Sequence, residues 1–181
     1  MPSGPFIDPS PASPVAERLK AVLPDAVLSE AEFRHEVTLV IPKDRIVEVA
    51  RFLKDDRETD CDMLVDLTGL HFPEGEVEHE VIYQLGSVEK NHRLRLKVRL
   101  RAGETVPSVT SVWKGADWLE REVYDLVGVR FSGHPDLRRI IMPEDYTDHP
   151  LRKDFDVEGG PSAIDIKGRP ASPGFRDMDH I

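Results

Sequence analysis

The sequence predicts an α+β fold: one two-layer domain, a mixed or antiparallel sheet with helices packed on it, between extended N- and C-terminal segments. Three observations carry this expectation. Helical-period apolar stripes occur beside strand-like runs in a chain of 181 residues, the size of one ordinary domain. No internal repeat or second core is visible. Both ends are rich in Pro, Gly or Ser and lack periodicity. The expected organisation is a flexible segment over residues 1–13, a domain over 14–155 and an extended tail over 156–181.

The elements follow in order. Ser13-Pro14 pairs an N-cap serine with proline at the first helical position, and predicts a helix stopped by Pro24. Residues 26–41 hold two short strand candidates, of which 36–41 is the better. A second helix begins near Asp44, where Ile46, Val49, Ala50 and Leu53 fall at i, i+3, i+4 and i+7. Residues 63–70 are largely apolar and predict a central strand covered on both faces. Residues 77–85 alternate, 93–101 alternate without a break, and the two are joined as a hairpin through 86–91. A last helix is expected to open on a capping box, Asp117 with Glu120, and to close at Gly128. Its apolar stripe is Leu119, Val123, Leu126 and Val127.

Composition excludes several function classes. The longest apolar runs are far shorter than the ~20 residues of a membrane helix. The N-terminus shows neither a secretory signal nor the pattern of a transit peptide. A net charge of −10 disfavours nucleic-acid binding. The basic residues of 93–101 lack interleaved aromatics and face Glu78 and Glu80 across the hairpin. The single cysteine, Cys61, cannot hold an iron–sulfur cluster and reads as a buried, inert thiol.

Residues 118–155, WLEREVYDLVGVRFSGHPDLRRIIMPEDYTDHPLRKDF, concentrate the functional information. A helix runs into a long coil dense in His, Pro, Asp and Arg, and long irregular segments in compact domains tend to be functional. Catalysis fits these residues poorly. Glu120 and Glu122 point apart on a helix, and Arg121 is placed to neutralise Asp125 at i+4. His134, Asp136, Asp148 and His149 match no established metal spacing and are interleaved with Arg138, Arg139, Arg152 and Lys153. No phosphate-binding glycine loop or nucleophile elbow occurs. Arginine forks, carboxylates and aromatics on a proline-stiffened coil are the parts of a large protein–protein contact.

Glu120-Arg121-Glu122, Asp125-Leu126-Val127, His134, Arg138 and Ile140 at this spacing resemble the signature of the 30-kDa subunit of respiratory complex I, known in bacteria as the C subunit of NADH-quinone oxidoreductase. Pro143-Glu144-Asp145-Tyr146 and His149-Pro150-Leu151-Arg152-Lys153-Asp154-Phe155 resemble the second block of that family, with Tyr146 where a tryptophan is usual. The resemblance implies a structural and assembly subunit of the hydrophilic arm, peripheral on the cytoplasmic side of the bacterial inner membrane. It implies contact with the 49-kDa subunit, with the small cluster-bearing subunit beside it and with other arm subunits. FMN, iron–sulfur clusters and quinone would then belong to those neighbours, with no cofactor, metal or catalytic residue in this chain. Glu120, Arg121, Glu122, Asp125, His134, Arg138, Arg139, Asp145, His149, Pro150, Leu151, Arg152, Lys153, Asp154 and Phe155 would serve structure and the subunit interface. The alternative that the resemblance leaves open is the equivalent subunit of a related membrane-bound hydrogenase or of a ferredoxin- or deazaflavin-dependent complex. A free metal-dependent hydrolase using His134 and His149 is the distant alternative.

Overall fold

The computed structural model describes residues 14–34 and 36–155. The expected N-cap Ser13, the segment 1–13 and the tail 156–181 lie outside them. Helix α1 (Pro14–Val22) buries Ala16 and Leu19 and ends in a 3-10 turn at Pro24–Ala26. Strands β1 (Ser29–Phe33) and β2 (Glu36–Val40) precede α2 (Ile46–Asp55), which buries Ile46, Val49, Ala50 and Leu53 as its spacing requires. Then come β3 (Met63–His71), β4 (His79–Ser87) and β5 (His92–Leu100). A short strand β6 (Thr105–Pro107) leads through a loop to α3 (Ala116–Val127), and β7 (Arg130–Ser132) follows it.

The main sheet has five strands in the order β1-β2-β5-β4-β3. It is mixed, because β2 and β5 run parallel while the other neighbours are antiparallel. Leu39, Leu96, Tyr83 and Leu67 lie across it in register on one face. That face forms a single core with Leu19, Ile46, Val49 and Leu53 of α1 and α2 and with Val123 and Val127 of α3. Two layers result, helices on one side only. On the open side three basic residues of β5 are matched by acids: Arg95 to Glu36 at 2.6 Å, Lys97 to Glu80 at 3.2 Å and Arg99 to Glu80 at 2.9 Å.

The expectation that residues 63–70 form a central, doubly covered strand is corrected. β3 is an edge strand with one exposed face. A bulge between Leu64 and Asp66 shifts the register, so Leu64, Leu67, Gly69 and His71 point inward while Asp66, Thr68 and Leu70 point out. The bulge interrupts the period of two, so the run shows no clean alternation of inward and outward residues. Gly69 has a packing role: a Cβ there would lie 2.7 Å from Val123 Cγ1, so its absence lets α3 settle on β3.

Cys61 lies buried in the coil before β3, and burial with the charges of Asp60 and Asp62 pushes its thiol up to about 12. No helix among the described residues is long and apolar enough to cross a membrane.

Candidate functional site

The stretch from Trp118 onward is organised by α3. Its N-cap is Gly115 and no side chain caps it, so the expected Asp117–Glu120 capping box does not form. Glu120 instead turns into the protein, where its Oε1 accepts the Val109 N–H at 2.7 Å. At the other end the expectation holds. Gly128 adopts φ +91° and donates its N–H to the carbonyls of Tyr124 and Val123. The coil expected directly after it contains β7, which pairs parallel with β6 and buries Phe131 against Val106.

Asp125, fully buried, is the hub. Its Oδ2 accepts the backbone N–H groups of Ile140, Ile141 and Met142 at 3.0, 2.7 and 2.9 Å. Its Oδ1 pairs with Arg139 Nη1 at 2.6 Å. Arg121 does not neutralise Asp125 as its i+4 spacing suggested. Its guanidinium donates to the carbonyls of Arg138 and Arg139 at 3.1 and 3.2 Å and lies 5.0 Å from the Trp118 ring centroid. One helix thus grips both the donors and the acceptors of residues 138–142. Glu120, Arg121 and Asp125 are therefore buried groups of this chain rather than parts of its surface.

The two candidate metal-binding histidines are placed at opposite ends of α3, which at 12 residues is about 18 Å long. His134 Nδ1 accepts the Asp136 N–H at 3.0 Å, so its proton resides on Nε2, which donates to the Asp117 carbonyl at 3.2 Å. His149 donates Nδ1–H to the Asp125 carbonyl at 2.8 Å, and its ring lies over Gly128. Both pin the coil to the helix. The Leu151 N–H adds a bond to the Leu126 carbonyl at 2.8 Å.

Glu120 and Asp125 are shifted in opposite directions. Burial pushes the Glu120 carboxyl up to about 7, outweighing the hydrogen bonds from Ser108 and the Val109 N–H, and Asp117 adds a little. Burial would raise Asp125 too, but the N–H groups of Met142 and Ile141, Arg139 and the Ile140 N–H hold it below the usual carboxylate range. The signs of the linked stabilities therefore differ. Asp125 stabilises the fold above its unfolded pKa, and that contribution is lost as pH falls through its depressed value. The contribution of protonated Glu120 is complete below the ordinary value of 4.5 and is lost as pH rises through about 7. Glu120→Gln is expected to remove that loss. Its stability relative to wild type should grow by on the order of 3 kcal/mol between pH 4.5 and pH 8. Denaturant titrations of both proteins across this range check it, and parallel pH profiles would contradict it.

The end of the signature reaches back to the sheet. The Lys153 N–H donates to His71 Nδ1 at 3.0 Å. Arg152 forms a fork with Asp154, at 3.0 and 2.9 Å, and its Nη2 also reaches Glu78 Oε1 at 3.3 Å. This pairing holds the Asp154 carboxyl at about 2, Arg152 being the main cause. Glu78, expected to pair with β5, serves the coil instead. His71 and His79 were not singled out from the sequence, although both fall on the inward face of adjoining strands. Glu122, Arg138, Asp145, Lys153 and Asp154 are exposed, while His149, Pro150, Arg152 and Phe155 are half-buried. Trp118, Ile141 and Leu151 expose 63, 57 and 57% of their surface on the same stretch.

Residues 39–161 match the model of a family described as respiratory-chain NADH dehydrogenase, 30-kDa subunit. The chain is 48% identical over 141 residues to the C subunit of NADH-quinone oxidoreductase from Roseiflexus sp. (strain RS-1), covering 77% of this chain and 81% of that one. It is 40% identical over 153 residues to the Hyphomonas neptunium protein of the same name, covering 84% and 76%. Among solved structures it is similar to a chain of the membrane-bound sulfane sulfur reductase, an archaeal respiratory membrane complex, with TM-score 0.64 and 26% identity over 79% of this chain and 84% of that one. A hub built on Asp125, the matched span and relatives at this identity agree, and the chain belongs to the respiratory-chain NADH dehydrogenase 30-kDa subunit family.

Proposed function

We propose that this chain is a non-catalytic structural and assembly subunit of a proton-translocating NADH:quinone oxidoreductase. It braces the 49-kDa partner, beside the small cluster-bearing subunit, next to the site of quinone reduction. The observation that carries this reading is the division of labour in residues 118–155. The buried side chains of Glu120, Arg121 and Asp125 each hydrogen-bond inside the chain, and Arg121 and Asp125 between them fix the coil. Trp118, Ile141 and Leu151 are left as apolar anchors on a rigid polar surface. Such a preorganised patch loses little ordering entropy on docking. In this reading flavin, clusters and quinone are bound by other subunits. The domain is residues 14–155, and the chain is peripheral on the cytoplasmic side of the inner membrane.

Purification of a tagged copy from native membranes tests it. The expected result is a multi-subunit assembly with flavin, iron–sulfur clusters and NADH:quinone activity, while the chain alone is colourless and inactive. A chromophore or quinone reduction in the isolated chain would overturn the reading.

The likeness to the sulfane sulfur reductase chain supports a second reading, the equivalent brace in a related membrane complex. A co-purified assembly that lacks flavin and does not oxidise NADH would favour it.

A further inference from the structure

His71, Glu78 and His79 form a group outside the α3 hub. His71 and His79 are Cα partners across β3 and β4, with side chains 1 and 8% exposed. His71 Nε2 is 3.9 Å from Glu78 Oε1, and His79 Nδ1 is 3.5 Å from Glu78 Oε2. One donor atom from each residue lies within 4.8 Å of the others. A zinc-type ion with N and O ligands at about 2.0–2.1 Å needs donor separations of about 3.3 Å. Small side-chain rotations close that gap, because the two backbones are already fixed by the strand ladder.

The remaining neighbours define what occupation would change. His71 Nδ1 accepts the Lys153 N–H at 3.0 Å and stands 3.8 Å from Asp154 Oδ1. With the Lys153 bond made, the neutral ring carries its proton on Nε2, the atom a metal needs. Binding therefore moves the proton to Nδ1, where it is donated to Asp154, giving the carboxylate–histidine–metal arrangement common in zinc sites. Arg152 must also leave Glu78, to which it donates at 3.3 Å, while keeping its fork on Asp154. We propose that His71, Glu78 and His79 form a binding site for a divalent transition-metal ion of the zinc class, and that occupation exchanges the Lys153 and Arg152 contacts of the coil for an Asp154–His71 contact. Two imidazoles and one carboxylate select such ions over magnesium or calcium.

Titration of the purified full chain with Co2+, followed by its visible spectrum and by competition with Zn2+, tests this. The expected result is one saturable site per chain with a tetrahedral-type d–d band bleached by Zn2+. His71→Asn and His79→Gln abolish the band, and Asp154→Asn weakens uptake about 10- to 100-fold. Arg152→Gln strengthens uptake by freeing Glu78. The Lys153 amide resonance shifts on saturation with Zn2+. No saturable uptake by the wild-type chain would overturn the proposal. Uptake unchanged in folded His71→Asn and His79→Gln variants, each checked by thermal melting, would overturn it equally.

Discussion

Asp125→Ala is expected to lower the unfolding free energy by about 3–5 kcal/mol, the scale for removing one partner of a buried charge pair. The loss has two sources. Arg139, whose side chain is 10% exposed, keeps its charge without the carboxylate 2.6 Å away. Three backbone N–H groups, of Ile140, Ile141 and Met142, lose their acceptor together. Asp125→Asn should recover only part, since one amide oxygen can accept from the N–H groups but cannot pair with the guanidinium. Chemical denaturation measures the energy. Hydrogen exchange should show faster exchange at residues 140–142 than in β4 or β5. A loss under about 1 kcal/mol, no more than an ordinary hydrogen bond, would mean that the coil is held by other contacts.

Gly128→Ala carries the second large expected effect, about 2–4 kcal/mol, summed from two independent strains. The left-handed φ of +91° disfavours any residue with a Cβ. That Cβ would also stand 2.7 Å from His149 Cδ2. A double-mutant cycle separates the two. In a His149→Ala background the overlap disappears and the conformational part, about 1–2 kcal/mol, remains. Equal costs in both backgrounds would show that His149 does not press on the helix end.

These two sites also mark where the sequence was readable. Gly128 announced itself because a helix end needs a left-handed residue and glycine accepts it cheaply. The stripe of α2 and the hairpin of β4 and β5 were legible for the same kind of reason: period and side-chain polarity agree there. β3 was misplaced because its bulge breaks the alternation that reveals an exposed face. β6 and β7 have three residues each, too few to show any period. At Asp125 the family resemblance identified the residue, but its partner could not be read from local spacing. Arg121, four residues away, competes on paper with Arg139, and only the path of the coil decides between them. Glu120 shows the same limit, since charged residues are rarely buried without a partner and composition places it outside. The His71–His79 group depends on strand register, which becomes visible only once β3 and β4 are paired.

In the proposed role, residues 118–155 turn their charges inward to hold a coil whose outward apolar groups meet a partner. Incorporation of an Ile141→Asp/Leu151→Asp variant into the membrane assembly tests this most directly. Both residues are 57% exposed, and their side chains contribute little to the fold of the chain itself. The variant should melt as wild type does when isolated and should fail to co-purify with the rest of the complex. Full incorporation of a normally folded variant would contradict that role.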